Sequence, residues 1–299
     1  RLRDVAGPQA KLLEFGTRRA FSPQASVWAA RAALAAGMDS TSNVLAALKL
    51  GQTPSGTMAH SFVMAWSATS GSEMEAFQAF HRYFPQATLL IDTYDPLTAA
   101  YQLAKKVQGG EMQLGSIRID SGDLVILSQK IRSLLPNVSI LVSGDIDELE
   151  IDRLRSAGAC IDGYGIGTRL VSGSPINGVY KLVEVDGIPV AKASSGKQTY
   201  PGRKQIFRSQ SANQFQKDRL GLVGEPPQGE QPLLQLVMQQ GQPVSFPEPL
   251  AVIAERTRTS VASLPAATRR LTQPVSLPIE ISTALQALIR QTQRHTSLD

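Results

Sequence analysis

The sequence is poor in the side chains that carry most metal and redox chemistry. It has a single cysteine, Cys160, and three histidines among 299 residues. One cysteine excludes an internal disulfide and any zinc site built from several thiolates. Cys160 lies in the small, apolar run Ala157-Gly-Ala-Cys-Ile161 and reads as a core residue, not a nucleophile. Such cysteine usage fits a reducing, cytoplasmic compartment. Long hydrophobic runs are missing too, and none approaches the roughly 20 residues that a spanning helix needs. Aromatic residues make up only 6%, and the lysines and arginines are scattered. That argues against a nucleic-acid surface despite a net charge of +5, whereas anionic small molecules suit such a chain equally well. The opening Arg1-Leu-Arg-Asp-Val-Ala-Gly7 is followed by no apolar stretch of the signal-peptide kind. It lacks an initiator methionine and has the character of a helix interior, so the chain is expected to lack its natural N-terminal part.

Hydrophobic residues make up 42% and charged residues 18%, which predicts a sizeable packed core. Short apolar runs recur at 11–15, 55–58, 88–92, 115–119, 138–142 and 161–165. Amphipathic stretches such as 72–80, 96–107 and 147–157 lie between them. Pro96 suits the first turn of a helix, and Gly158 suits the end of one. Strands alternating with helices predict a parallel sheet with helical crossovers. Nearly every apolar run ends in glycine or polar residues: Gly16-Thr-Arg18-Arg19, Ala59-His60, Asp92-Thr-Tyr-Asp95, Arg118-Ile-Asp120, Ser143-Gly144-Asp145 and Gly165-Ile-Gly167-Thr168. Polar groups at the end of strand after strand are what a β/α barrel presents at its active face. An open sheet would gather them at one switch point. The predicted fold is therefore α/β, an irregular, TIM-like β/α barrel, with a C-terminal α+β appendage. The barrel is expected over residues 1–208, with a β-hairpin at 178–192 turning at Asp186-Gly187. The appendage is expected over 209–299, packed on the barrel, with a loop near 224–230 and short patterned stretches at 249–264 and 282–289.

Several of these strand ends carry chemistry. Arg118-Ile-Asp120-Ser-Gly-Asp123 puts two carboxylates and an arginine around a small turn. Phosphate with a divalent metal needs such a set, yet Ser121 or Asp123 equally suits the cap of the next helix. Gly163-Tyr-Gly-Ile-Gly-Thr168 offers backbone N–H groups to a phosphate, as late-strand glycine loops do in many barrels. It lacks the acidic residue of a dinucleotide fingerprint. Asp95 is placed to cap the helix from Pro96, which leaves Asp92 as the site candidate of that pair. Only one of Arg18 and Arg19 is expected to face the mouth. His81 and His295 lie in helical, polar surroundings and read as surface residues, and His60 stands at a strand end among the other candidates.

In their order and spacing, Glu14-Phe-Gly-Thr-Arg-Arg-Ala20, Gly37-Met-Asp-Ser-Thr-Ser-Asn-Val-Leu45, Ser55-Gly-Thr-Met-Ala-His-Ser61, Ile91-Asp-Thr-Tyr-Asp95, Ile117-Arg-Ile-Asp-Ser-Gly-Asp-Leu124 and Gly163-Tyr-Gly-Ile-Gly-Thr168 resemble the nicotinate phosphoribosyltransferases. Gly178–Val183 and Lys197–Lys204 extend the resemblance. It implies formation of nicotinate mononucleotide and pyrophosphate from nicotinate and phosphoribosyl pyrophosphate, in NAD salvage, with Mg²⁺ and with ATP as co-substrate. It implies that His60 is transiently phosphorylated, with Arg118 and Asp120 beside it in catalysis. It further implies that Phe15 stacks on the pyridine ring and that Arg18 and Asp39 lie near the base. Asp92, Arg118 and Asp120 would meet ribose, pyrophosphate and metal, with Asp120 and Asp92 as metal ligands. Gly144, Asp145, Gly165, Gly167 and Thr168 would cradle the 5′-phosphate and ribose. The family resemblance also implies a homodimer. Two other bases, nicotinamide and quinolinate, stay open within the same fold, with Asp39 as an acceptor for a neutral amide. A barrel kept only as a binding module is the reading outside enzymology.

Overall fold

The computed structural model describes residues 1–174, 176–194 and 197–296. The chain divides into two compact units, Arg1–Ser174 with Leu250–Thr257, and Pro175–Pro249 with Arg258–Asp299.

The first unit is built on short parallel strands: β1 (Lys11–Glu14), β2 (Ser40–Thr41), β3 (Leu89–Leu90), β4 (Ser116–Ile119), β5 (Ser139–Val142) and β6 (Gly163–Ile166). Their hydrogen-bonded order is β2-β1-β6-β5-β4-β3. The segment between β2 and β3 joins the two free edges. Ser55 N–H donates to the Thr41 carbonyl at 2.9 Å, and Thr57 makes a parallel bridge to Thr88. The sheet thereby closes on itself, with its staves in sequence order, as a β/α barrel requires. Closure of this kind covers the two edges of the sheet. Six of the runs read as strands in the sequence lie in this ring, and β2 is the exception. At two residues it is too short to show a period, and its polar Ser40-Thr41-Ser42 reads as a loop.

The helices follow from the strands. They are α1 (Leu2–Ala6), α2 (Pro23–Ala35), α3 (Val44–Lys49), α4 (His60–Ser70), α5 (Glu73–Tyr83), α6 (Pro96–Gln108), α7 (Leu124–Leu134), α8 (Glu148–Ser156) and α9 (Thr168–Val171). Side chains at the starts of several helices accept first-turn N–H groups: Ser22, Asn43, Ser72, Asp95, Asp123 and Asp147. Each cap contributes about 1 kcal/mol and sets where a loop becomes a helix. Asp95 and Asp123 are thus capping residues, and Asp92 and Asp120 remain for the strand ends. The core lies between strands and helices, with Leu12, Leu89, Ile117, Ile140, Leu103, Ile131 and Leu154 fully buried.

The second unit pairs Lys204–Ser211 with Gln214–Leu222 antiparallel, flanked by Gln231–Pro232 and Ile279–Ile281. The division expected at 208 cuts through the first of these strands. The units part near 174, because a long antiparallel ladder cannot be shared between two cores. The predicted hairpin is present in shortened form, Glu184–Val185 against Ile188–Pro189, with Asp186 and Gly187 at φ 48° and 80°. Helices Leu250–Ala262 and Thr283–Thr296 occupy the two late patterned stretches.

Candidate functional site

The C-terminal ends of the barrel strands surround a cavity of about 740 Å³. Phe15 and Arg18 follow β1, and Ser42 follows β2. Thr57 to Ser61 lead into α4. Arg118 and Asp120 end β4, Ser143 to Asp145 follow β5, and Gly165, Gly167 and Thr168 come from β6 and its loop. A smaller groove of about 310 Å³ between α2 and α3 is lined by Val27, Trp28 and Leu45. It holds no paired acid and base, so the chemistry belongs to the larger cavity.

At one wall, β1 ends in a 3₁₀ turn, Thr17–Arg19, which sets both Arg18 and Arg19 on the cavity. The expectation that only one faces it assumed extended chain, and the turn overrides that. Phe15 N–H donates to the Ile166 carbonyl at 2.8 Å. The ring lies so close to β6 that a Cβ on Gly165 would stand 2.5 Å from Cε2. Residue 165 therefore has to be glycine for this ring to sit here. The Arg118 guanidinium lies 5.9 Å from the Phe15 centroid, within cation–π range. Burial pushes the Arg118 pKa down, with Asp120 and Asp92 opposing it and Arg18 adding to it. Its Nε is buried without a partner, a donor left for something the protein does not supply.

Carboxylates gather around His60. Asp120 Oδ1 accepts from Ser143 Oγ at 2.5 Å. Asp92 Oδ2 accepts from Asp120 N–H and from Ser121 Oγ, both at 2.8 Å, which fixes the β4 turn. His60 opens α4. Its Nδ1 is 3.1 Å from Thr93 Oγ1, and its Nε2 is 3.8 Å from Asp120 Oδ2 and 4.0 Å from Asp92 Oδ1. Those two contacts exceed hydrogen-bond length, so they act on the ring as nearby negative charge. Behind them stands Glu73. Burial and the charges of Asp92 and Asp95 push its carboxyl up to about 7.

Gly144 and Asp145 take φ values of 88° and 50°. A Cβ on Gly144 would meet the Asp120 carbonyl oxygen at 2.4 Å. Both residues line the cavity, and a sharp turn of this kind suits the close backbone approach that an anion needs.

Of the residues expected from the sequence, Phe15, Arg18, His60, Arg118, Asp120, Gly144, Asp145, Gly165, Gly167 and Thr168 line the cavity. Two expectations need correction. Asp39 lies at the other end of the barrel, where it accepts from Arg3 Nη2 at 2.5 Å and from Leu12 N–H at 2.7 Å. It precedes β2, and residues before a parallel strand sit at the face away from the site. Asp92, expected among the metal ligands, has a side chain only 2% exposed and does not line the cavity. It braces the β4 turn and faces His60. Ser42, Thr57 and Ser143 line the cavity as well, without having been expected there. Ser42 and Ser143 are marked only by their place directly after β2 and β5, and Thr57 by its bridge to Thr88.

The description of the nicotinate phosphoribosyltransferase (NAPRTase) family matches residues 10–143, and that of the family's C-terminal domain matches 223–289. The chain is 39% identical over 284 residues to nicotinate phosphoribosyltransferase pncB2 of Mycobacterium tuberculosis, covering 91% of this chain and 60% of that protein. It is 32% identical over 379 residues to human nicotinate phosphoribosyltransferase, covering 97% of this chain and 70% of the human one. The crystal structure of human nicotinic acid phosphoribosyltransferase matches with a TM-score of 0.81 at 29% identity, over 97% of this chain and 72% of that one.

Proposed function

This chain belongs to the nicotinate phosphoribosyltransferase family, and we propose that it joins nicotinate to phosphoribosyl pyrophosphate in NAD salvage. The chain spans about 60% of the length of its Mycobacterium tuberculosis relative. The observation that carries the reading is one cavity lined by Arg18, Arg19 and Arg118 and by His60, whose ring stands near the carboxylates of Asp120 and Asp92.

The base seats with its ring on Phe15 and its carboxylate toward Arg18 and Arg19, which suit a carboxylate geometrically and electrostatically. Arg118 caps the stack, and its unpartnered Nε is free for an anionic oxygen. The neutral amide loses its expected acceptor, because Asp39 lies outside the cavity. The backbone seats at Gly144–Asp145 and Gly165–Gly167 take the 5′-phosphate and hold the ribose. The pyridine nitrogen then displaces pyrophosphate at the anomeric carbon. Positive charge grows on the sugar as the leaving bond breaks, and the Asp120 carboxylate, which lines the cavity, offsets it.

The site's donors fit a magnesium ion. Mg²⁺ is held by one or two carboxylates together with substrate phosphates. Asp120 is partly exposed and lines the cavity, whereas the described residues contain no cluster of three or more His, Cys, Asp or Glu side chains able to hold a metal. Asp120 would hold the ion, which when bound neutralises the departing pyrophosphate.

Coupling to ATP rests on His60. Thr93 engages Nδ1, which leaves Nε2 to attack the terminal phosphorus of ATP while the bond to the bridging oxygen breaks. Asp92 and Asp120 offset the positive charge that the ring gains in that step. The protein is further proposed to act as a cytoplasmic homodimer. No helix among the described residues is long and apolar enough to cross a membrane.

The test is nicotinate mononucleotide formation with Mg²⁺, with and without ATP, beside His60→Ala. Product that rises with ATP in the parent and stays flat in the variant supports the reading. Equal stimulation of both removes His60 from the coupling.

A further inference from the structure

Glu14 is 1% exposed at the end of β1, and the reaction proposed above gives it no role. Burying a carboxylate is costly unless its oxygens are satisfied. Here both are. Gly16 N–H donates to Oε1, and Thr41 Oγ1 donates to Oε2 at 2.5 Å. Both donors are neutral groups. Thr41 Oγ1 also accepts from Asn43 N–H at 2.9 Å. The Asn43 side chain donates to Ser26 Oγ at 2.9 Å and accepts from Ala46 N–H at 2.9 Å. Ser42 N–H donates to the Glu14 carbonyl at 2.9 Å.

The two residues that Glu14 ties together each precede a cavity residue. Phe15 follows Glu14, and Ser42 follows Thr41. The bond to Gly16 also bends the chain into the turn that carries Arg18 and Arg19. Residue 16 has no room for a side chain in this turn, because a Cβ there would meet Val171 Cγ1 at 2.2 Å. We infer that Glu14 is a positioning residue for the base half of the site: its carboxylate holds the Phe15–Arg18 turn against the end of β2, through Thr41. The phosphate seat at 144–145 follows β5, which is separated from β1 by β6, whereas 165–167 neighbours Phe15 directly. This inference rests on the proposed seating of nicotinate on Phe15.

Glu14→Gln, Glu14→Ala and Thr41→Val test it in the full chain. A glutamine keeps one acceptor oxygen but turns its amide toward the other donor. Glu14→Gln and Thr41→Val are expected to raise KM for nicotinate about tenfold, the loss of one buried hydrogen bond to a charged group. In both, kcat and the KM for phosphoribosyl pyrophosphate stay near the parent values. Glu14→Ala goes further, and glutamine recovers part of that loss. Hydrogen exchange is read in the same proteins. Faster exchange confined to 14–20 and 41–46, with 139–145 unchanged, supports the inference. An unchanged nicotinate KM in an active Glu14→Gln, or equal rises for both substrates, overturns it. Should the parent itself form no product, the proposed activity falls, and exchange alone decides the role of Glu14. Unchanged exchange at 14–20 then overturns the positioning role as well.

Discussion

The barrel and the second unit are held together differently. Among the described residues, the buried hydrophobic side chains lie almost entirely in the barrel, and only Phe207 and Leu285 belong to the second unit. There the strand pair 204–211 and 214–222 is centred on charge. Arg219, nearly buried, donates to Glu225 at 3.0 Å and to Glu230 at 2.6 Å, and its guanidinium lies 4.2 Å from the Phe207 centroid. Arg208 meets Asp218 through two 2.7 Å bonds. Ile176, Tyr180 and Phe246 are meanwhile almost fully exposed. A barrel spreads its stability over many interchangeable apolar contacts. A small sheet with few buried hydrophobics concentrates it in a handful of directional bonds.

That contrast predicts unequal responses to single changes. Arg219→Met leaves Glu225 and Glu230 close together without a cation and is expected to cost about 3 kcal/mol. Ile140→Val trims one methylene from a fully buried strand residue and is expected to cost about 1 kcal/mol. Denaturant unfolding of the two variants measures both values. Similar costs would end the comparison.

Within the barrel, the strand ends answer differently from the strand interiors. Gly165→Ala puts a methyl where the Phe15 ring lies, 2.5 Å from Cε2. The ring has to move, and overpacking of this kind costs about 1–3 kcal/mol. The base half of the cavity bears that shift, so KM for nicotinate is expected to rise about tenfold, with a smaller change for phosphoribosyl pyrophosphate. A fall in melting temperature with unchanged nicotinate KM would show that the ring's position does not matter to the base.

The smallest expected effect concerns pH. Glu73 binds its proton more tightly in the folded protein, with its pKa raised to about 7 by burial and by Asp92 and Asp95. A raised carboxyl pKa gives stability that is complete below the unfolded value. It is lost as pH rises toward and through 7. Glu73→Gln removes that loss. The variant and the parent should melt together near pH 4, and the variant should melt slightly higher at pH 8. Partial exposure screens the effect, so about a degree or two is expected. Parallel melting curves across that range would mean that Glu73 is ionised without penalty.

Much of the site was legible because parallel strands expose their C-terminal ends together. Reading the ends of the apolar runs found Arg18, His60, Arg118, Asp120, Gly144 and Gly167 without knowing any contact, and the family resemblance added Phe15. The same rule passed over Ser42, because β2 is two polar residues and has no apolar run to mark it. Asp39 went wrong for a related reason. It lies in a shared motif, and a motif does not say which end of a two-residue strand faces the mouth. Asp92 was found but given the wrong neighbourhood: the sequence shows a carboxylate at a strand end, not that the β4 turn closes over it. The domain boundary was placed at 208 because the chain turns rich in Gln, Pro and Ser from Ser209, a change of composition that falls inside the strand Lys204–Ser211.

The sequence alone determined the β/α rhythm, the helix caps at Asp95, Asp123 and Asp147, and the chemical types gathered at the strand ends. Those depend on interactions within a few residues, which spacing records directly. Tertiary structure alone decided that the sheet closes through Ser55 and Thr57, that Glu14 reaches Thr41, and that His60 stands between Thr93 and two carboxylates. Each of those joins residues more than a dozen positions apart, and the distance between them is set by how the helices pack on the strands.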